Sequence, residues 1–115
     1  MRVERVYTPV APDEGTRVEV DRLWPRGIRK DDPRVGTWMP HVAPSAQLRT
    51  WYGHDESRWE AFCDAYEEEL ATQAEARDAL AHLKEMVAAG PVTLTTATAD
   101  VEHAHVQVLA RLLAG

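Results

Sequence analysis

The strongest constraint on the fold is a strand that lies between two predicted helices near the end of the chain. Gly90-Pro91 ends a helical pattern over about Glu75–Ala89, and the Thr- and Val-rich segment Val92–Thr98 follows it directly. Glycine and proline disfavour continuation of a helix, whereas β-branched residues favour strands. Asp100 is then placed to cap a terminal helix. The sequence therefore predicts a central strand with both faces covered, whose buried residues are Val92, Leu94 and Ala97.

Three more strands are predicted in the first half of the chain, over Arg2–Tyr7, Thr16–Leu23 and, as a short one, Gly36–Met39. The loop between the first two is too short to hold a helical crossover. We therefore expect these two strands to be antiparallel or not adjacent.

Helices dominate the second half. Ser45 is expected to cap a short helix that ends at Gly53. A second helix, from about Ser57 to Ala74, carries an apolar stripe at helical spacing that predicts packing on the sheet, formed by Trp59, Phe62, Cys63, Tyr66 and Leu70. Its solvated side is expected to hold Glu67, Glu68 and Glu69. The element order predicts a single α/β domain over residues 1–115, with a mixed, mostly parallel sheet of about four strands and helices packed on it.

Charge and composition narrow the function classes. The net charge is −6, but residues 1–49 carry +2 and residues 50–115 carry −8. Five bases cluster within thirteen residues, Arg22, Arg26, Arg29, Lys30 and Arg34, which makes a local anion site compatible with an acidic protein. No apolar run is long enough to cross a bilayer, and the N-terminus lacks the apolar region of a signal peptide, so we expect a cytoplasmic protein with no membrane partner. The lone Cys63 excludes an internal disulfide and a multi-cysteine zinc site.

Two strands end in polar segments, and these segments carry the candidate site. Ligands in open α/β sheets bind beyond the carboxyl ends of the strands, where helix N-termini converge. If the two strands are parallel neighbours, one crevice holds Asp21, Arg22, Arg26, Asp100, His103 and His105. Ser45 is expected to join this group from its own turn, and Trp24 is expected to wall the pocket.

Each candidate also has a structural interpretation. Asp21 and Arg22 are compatible with an ion pair, Asp100 with an ordinary N-cap, and His105 with a hydrogen-bonded core histidine. His103 and His105 are two residues apart, so they diverge on a regular helix, and no third ligand has characteristic spacing. We therefore expect no metal and no cofactor.

Specific motifs resemble a known family. Val18–Ile28 (VEVDRLWPRGI), Ala43–Asp55 (APSAQLRTWYGHD) and Asp100–Leu109 are similar to the domain-of-unknown-function 488 family, in its short YeaO-like branch. In longer relatives a Cys-His-Arg triplet stands where this chain has Ala104, His105 and Val106, and in short relatives the triplet usually begins with Asn. The resemblance thus implies no nucleophile at position 104. His105 is the residue of the triplet that this chain shares with its longer relatives.

Three functional hypotheses follow. The first is a pocket for a small anionic or phosphorylated molecule, with or without catalysis, in which Arg22 and Arg26 hold the anion. In a catalytic version His105 or His103 performs acid–base chemistry and Asp21 or Asp100 orients it. The second is a non-catalytic interaction or regulatory module. The third, a nucleic-acid binder, is disfavoured by the net negative charge. The oligomeric state stays open and a homodimer is compatible with the sequence.

Overall fold

The computed structural model describes residues 1–114 and shows four strands and four helices. The strands are β1 (Arg2–Arg5), β2 (Thr16–Glu19), β3 (Thr37–Trp38) and β4 (Val92–Thr96). The helices are α1 (Ala46–Tyr52), α2 (Trp59–Thr72), α3 (Ala74–Ala89) and α4 (His105–Ala114). Short 3₁₀ turns lie at Pro40–Val42, Glu56–Arg58 and Val101–His103. The α/β class predicted from the sequence is confirmed.

The strands form one sheet in the order β1-β4-β2-β3. Every pair is parallel, whereas the sequence predicted a mixed, mostly parallel sheet. As expected for two strands that are not adjacent, β1 and β2 are separated by β4. All five residues of β4 are buried, so the predicted central strand is confirmed. The strand ends at Thr96 rather than Thr98, and Ala97 is therefore only half-buried, contrary to the prediction.

Helices cover one face of the sheet. The main core joins strand residues such as Val18, Val20 and Leu94 to the apolar faces of the helices. The predicted stripe on α2 packs into this core, with Trp59 half-buried and the others buried. A smaller cluster joins Val6, which follows β1, to Ile28 and Val35 in the irregular segment between β2 and β3. Trp24 and Trp38 pack against this cluster.

The expected exposure of three consecutive glutamates is correct for Glu67 and Glu68 and wrong for Glu69. Glu69 accepts hydrogen bonds from the backbone N (2.9 Å) and the hydroxyl (2.6 Å) of Ser45. Ser45 in turn caps α1 through its bond from Leu48 N, and Gly53 ends the helix in the left-handed conformation. Glu69 thus fastens α2 to the start of α1. In the described part of the chain, no helix is long and apolar enough to cross a membrane.

Candidate functional site

A cavity of about 570 Å³ opens at the carboxyl ends of the strands. Its walls are residues 21–26 after β2, the second half of α1 and Ala97-Thr98 after β4, and its floor includes residues 103–105 at the start of α4. These segments meet because parallel β2 and β4 are neighbours, so the loops that follow both strands emerge at the same edge of the sheet.

Most of the residues predicted for the site line this cavity. Asp21, Arg22, Trp24, Arg26, His103 and His105 all lie in its walls or floor. Ser45 and Asp100 do not line it. Ser45 instead borders a second cavity of about 480 Å³, which shares Arg22 with the first.

Asp21 and His105 hold the ends of the two central strands together. The Asp21 carboxylate accepts hydrogen bonds from the Thr96 hydroxyl and from Ala97 N, both at 2.7 Å. His105 Nε2 lies 2.9 Å from Val20 O, which can only accept, so Nε2 carries a proton. The same nitrogen is 3.4 Å from Asp21 Oδ1. These bonds join β2, β4 and α4 at the floor of the cavity.

The electrostatics of His105 favour the neutral imidazole. Burial lowers the pKa of His105, and the charge of Arg49 acts in the same direction, whereas Asp21 and the Val20 carbonyl oppose them. Desolvation is the largest of these effects because the side chain is almost completely enclosed. His105 therefore resembles the hydrogen-bonded core histidine that the sequence also allowed, with one edge at the cavity.

Three arginines line the cavity. Arg22 donates to the carbonyl oxygens of Pro44 (3.2 Å) and Ala43 (3.1 Å), which fixes its direction. Arg26 and Arg49 are exposed, and their guanidinium groups have no hydrogen-bond or ion-pair partner within residues 1–114. The ion pair considered between Asp21 and Arg22 does not form in the described chain, because Asp21 is occupied by Thr96 and Ala97.

Asp21 is the single carboxylate in the cavity lining among the described residues. Both of its oxygens already accept hydrogen bonds from the protein. The lining thus combines three permanent positive charges with one engaged negative charge. The ten-residue helix α4 begins directly beneath it and adds the partial positive charge of a helix N-terminus.

The predicted N-cap role of Asp100 is wrong. A 3₁₀ turn at Val101–His103 follows Asp100, so α4 starts only at His105, too far along the chain for Asp100 to cap it. The Asp100 side chain makes no capping hydrogen bond and lies 3.1 Å from His103 Nδ1. Glu56 lies 3.6 Å from the same nitrogen. His103, Asp100 and Glu56 thus place one ligand atom each within 4.8 Å of one another, an arrangement that the sequence alone did not indicate because Glu56 is distant in the chain.

An arginine and a histidine of the lining were among the residues that the sequence did not predict for the site. Arg49 lies on α1 and His54 in the turn after it, and the packing of α1 on α2 brings both to the cavity. His54 has a φ of 57°, in the left-handed region that side chains other than glycine rarely adopt. The sequence run at residues 51–55 indicated a helix end, and no local signal placed it opposite residues 21–26.

Position 104 offers no reactive group. Ala104 is buried at the cavity floor, immediately before the first residue of α4. A side chain there would lie at the helix N-terminus and beside His105. The methyl group of alanine can neither attack a substrate nor exchange a proton.

A neutral carboxylic acid is buried next to the site. Glu19 is completely enclosed, its Oε1 accepts from Asp21 N at 3.2 Å, and its Oε2 has no hydrogen-bond partner in the described chain. Burial, together with the negative charge of Asp21, raises the pKa of Glu19 to about 9. Arg17, on the same face of β2, does not compensate Glu19, because it is paired with Glu14 at 2.8 Å. At neutral pH Glu19 therefore retains its proton and adds no negative charge beneath the cavity.

Known proteins match the chain over nearly its whole length. A family model described as the inactive DUF488-N3 subclade matches residues 1–115. "Uncharacterized protein Rv3073c" of Mycobacterium tuberculosis is 50% identical over 115 residues, which cover 100% of this chain and 94% of that protein. "Uncharacterized protein YeaO" of Escherichia coli K12 is 33% identical over 110 residues, which cover 96% of this chain and 93% of that protein. No solved structure matches the chain.

Proposed function

The chain belongs to the domain-of-unknown-function 488 family, and from that membership and the cavity we propose that it binds a small phosphorylated anion without transforming it. The observation behind the proposal is that three arginines, Arg22, Arg26 and Arg49, line one cavity in a chain of net charge −6. Planar guanidinium forks suit the paired oxygens of a phosphate. A bound anion would relieve the mutual repulsion of these charges.

Two features support binding without catalysis. The position next to His105 is Ala104, so the helix N-terminus presents no nucleophile. His105 itself donates a hydrogen bond to Val20 O, and its pKa is lowered, so it serves the fold rather than proton transfer. The matching subclade is described as inactive, which agrees with this interpretation.

Calorimetry with three probes tests the proposal: inorganic phosphate, glycerol 3-phosphate and phenyl phosphate, at low ionic strength. We expect at least one phosphate monoester to bind, and Arg26→Ala to weaken it at least tenfold, since a charge-assisted hydrogen bond contributes about 1.5–3 kcal/mol. Arg29→Ala is the matched control, because Arg29 is an exposed base of the same loop that does not line the cavity. Phosphorus NMR of the same samples should show intact ester after prolonged incubation.

The absence of binding by all three probes, or equal losses in the Arg26 and Arg29 variants, would contradict the anion site. Release of inorganic phosphate by the wild-type protein, absent in the Arg26 variant, would contradict the non-catalytic role. We further propose that the protein acts in the cytoplasm, where the buried thiol of its single Cys63 remains reduced.

A further inference from the structure

The cavity is larger than a phosphate group. A volume of about 570 Å³ contrasts with the ~100 Å³ that a phosphate displaces, taking it as the equivalent of three to four waters of about 30 Å³ each. Most of the space is therefore left for the rest of the ligand, and the total is in the range of pockets that enclose whole small organic molecules. The nature of that remainder can be inferred from the wall that faces it.

One wall of the cavity is largely apolar. Leu23, Trp24 and Pro25 are consecutive in it, and Tyr7 lies beside them. Leu23 is 66% exposed, the largest exposed fraction among the large apolar residues of the described chain. An exposed leucine at the rim of a charged cavity gains free energy when an apolar group covers it.

The polar atoms of this wall are already used by the protein. Trp24 donates its indole N–H to Ile28 O at 2.7 Å, and Tyr7 donates its hydroxyl to the backbone oxygen of Arg26 at 2.9 Å. Lys30 lies over the Trp24 ring at 4.5 Å and Arg5 over the Tyr7 ring at 5.1 Å, but neither cation lines the cavity. On its cavity side the wall consequently offers aliphatic surface and the remaining ring surface to a ligand. A polyol or sugar attached to the phosphate would lose hydrogen bonds to water there without replacing them.

We propose that the ligand is an aryl phosphate, a free small molecule in which a planar apolar group is joined to the phosphate. The phosphate lies among the guanidinium groups of Arg22, Arg26 and Arg49, and the planar group lies against Leu23, Trp24 and Tyr7. This inference rests on the proposed anion site and adds the chemical class of its ligand. The same bond connectivity also occurs in a phosphotyrosine side chain, which the experiment separates from a free molecule.

The test compares phenyl phosphate with glycerol 3-phosphate by calorimetry on the full chain. We expect phenyl phosphate to bind at least about tenfold more tightly, because its ring buries apolar surface where glycerol cannot. Leu23→Ser should weaken phenyl phosphate several-fold and leave glycerol 3-phosphate unchanged. Val10→Ser is the matched control, since Val10 is another exposed apolar residue, 47% accessible, that does not line the cavity.

Each outcome separates the inference from the function on which it rests. If glycerol 3-phosphate binds as tightly as phenyl phosphate, and both depend on Arg26, the aryl class is overturned while the anion site stands. If neither ester binds, the aryl class is overturned, and if inorganic phosphate also fails to bind, the anion site is overturned with it. A phosphotyrosine peptide that binds at least tenfold more tightly than phenyl phosphate would overturn the free small molecule as the source of the aryl phosphate.

Discussion

Glu19 tests whether water is excluded from the buried polar side chains beneath the cavity. Its carboxyl has a pKa of about 9 in the folded protein and an ordinary value near 4.5 in the unfolded chain. Between these values the folded state holds a proton that the unfolded state has released. This proton stabilises the folded state fully below pH 4.5. Its contribution to the free energy of unfolding falls by about 1.4 kcal/mol per pH unit between pH 4.5 and 9, and it is lost as the pH rises through 9.

Glu19→Gln removes this titration and keeps the acceptor for Asp21 N. From pH 5 to pH 8 the free energy of unfolding of the wild-type protein should fall by about 3–4 kcal/mol relative to the variant. Urea titrations at unit pH intervals measure the difference in free energy of unfolding between wild type and variant. The contributions of titrating groups that both proteins share cancel in this difference. Glu67→Gln, at an exposed position of α2, is the control and should run parallel to the wild type.

A difference between wild type and Glu19→Gln that changes by less than about 1 kcal/mol over the same interval would contradict the raised pKa of Glu19. It would mean that water or a cation reaches the carboxylate. Glu19 would then ionise normally beside Asp21, and the floor of the cavity would carry a second negative charge.

The other predictions concern the core and the floor of the cavity. Phe62→Ala should lower the free energy of unfolding by about 3–5 kcal/mol in urea titrations, because Phe62 is buried and stacks on Tyr52 at 4.5 Å; a loss below about 1 kcal/mol would contradict this packing. The thiol pKa of Ala104→Cys should lie at least about one unit below the ordinary 8.5, because position 104 lines the cavity at the N-terminus of α4, and the pH dependence of alkylation measures it. Cys63, which does not line the cavity, should stay unreactive in the same sample, and an ordinary or raised pKa at position 104 would argue against a positive cavity. His105→Gln should reduce the loss of stability between pH 6.5 and 5, since the lowered pKa keeps His105 neutral in the fold and its stabilisation is lost as the pH falls below the unfolded value of 6.5; unfolding curves that depend on pH as in the wild type would contradict it.

The sequence predicted the ends of helices and strands well where a single residue type fixes the backbone conformation. Ser45 and Gly53 bound α1 as expected, and Gly90-Pro91 separates α3 from β4. The bounds of β4 were less accurate, because Ala97 and Thr98 continue the strand-like composition after the last ladder pair at Thr96. The all-parallel sheet was not predictable from local sequence, since strand direction depends on the long-range position of β4 between β1 and β2.

The residues of the site that follow the ends of strands were predictable from the sequence. Asp21, Arg22 and Arg26 come directly after β2, so the rule for parallel sheets located them. Asp100 was misplaced because a 3₁₀ turn of three residues is indistinguishable in sequence from the first turn of a helix. Arg49 and His54 reach the cavity only through the packing of α1, which no local pattern indicates. The Glu19 oxygen without a hydrogen-bond partner could not be predicted either, because its burial depends on residues that are distant in the sequence.

The proposed anion site is tested most directly by a crystal structure of the protein grown with phenyl phosphate. We expect an intact ester in the cavity, with its phosphate within hydrogen-bond distance of at least two of the guanidinium groups of Arg22, Arg26 and Arg49. An empty cavity with phosphate bound at Arg29 or Lys30 would contradict the anion site, and a cleaved ester in the cavity would contradict the non-catalytic role.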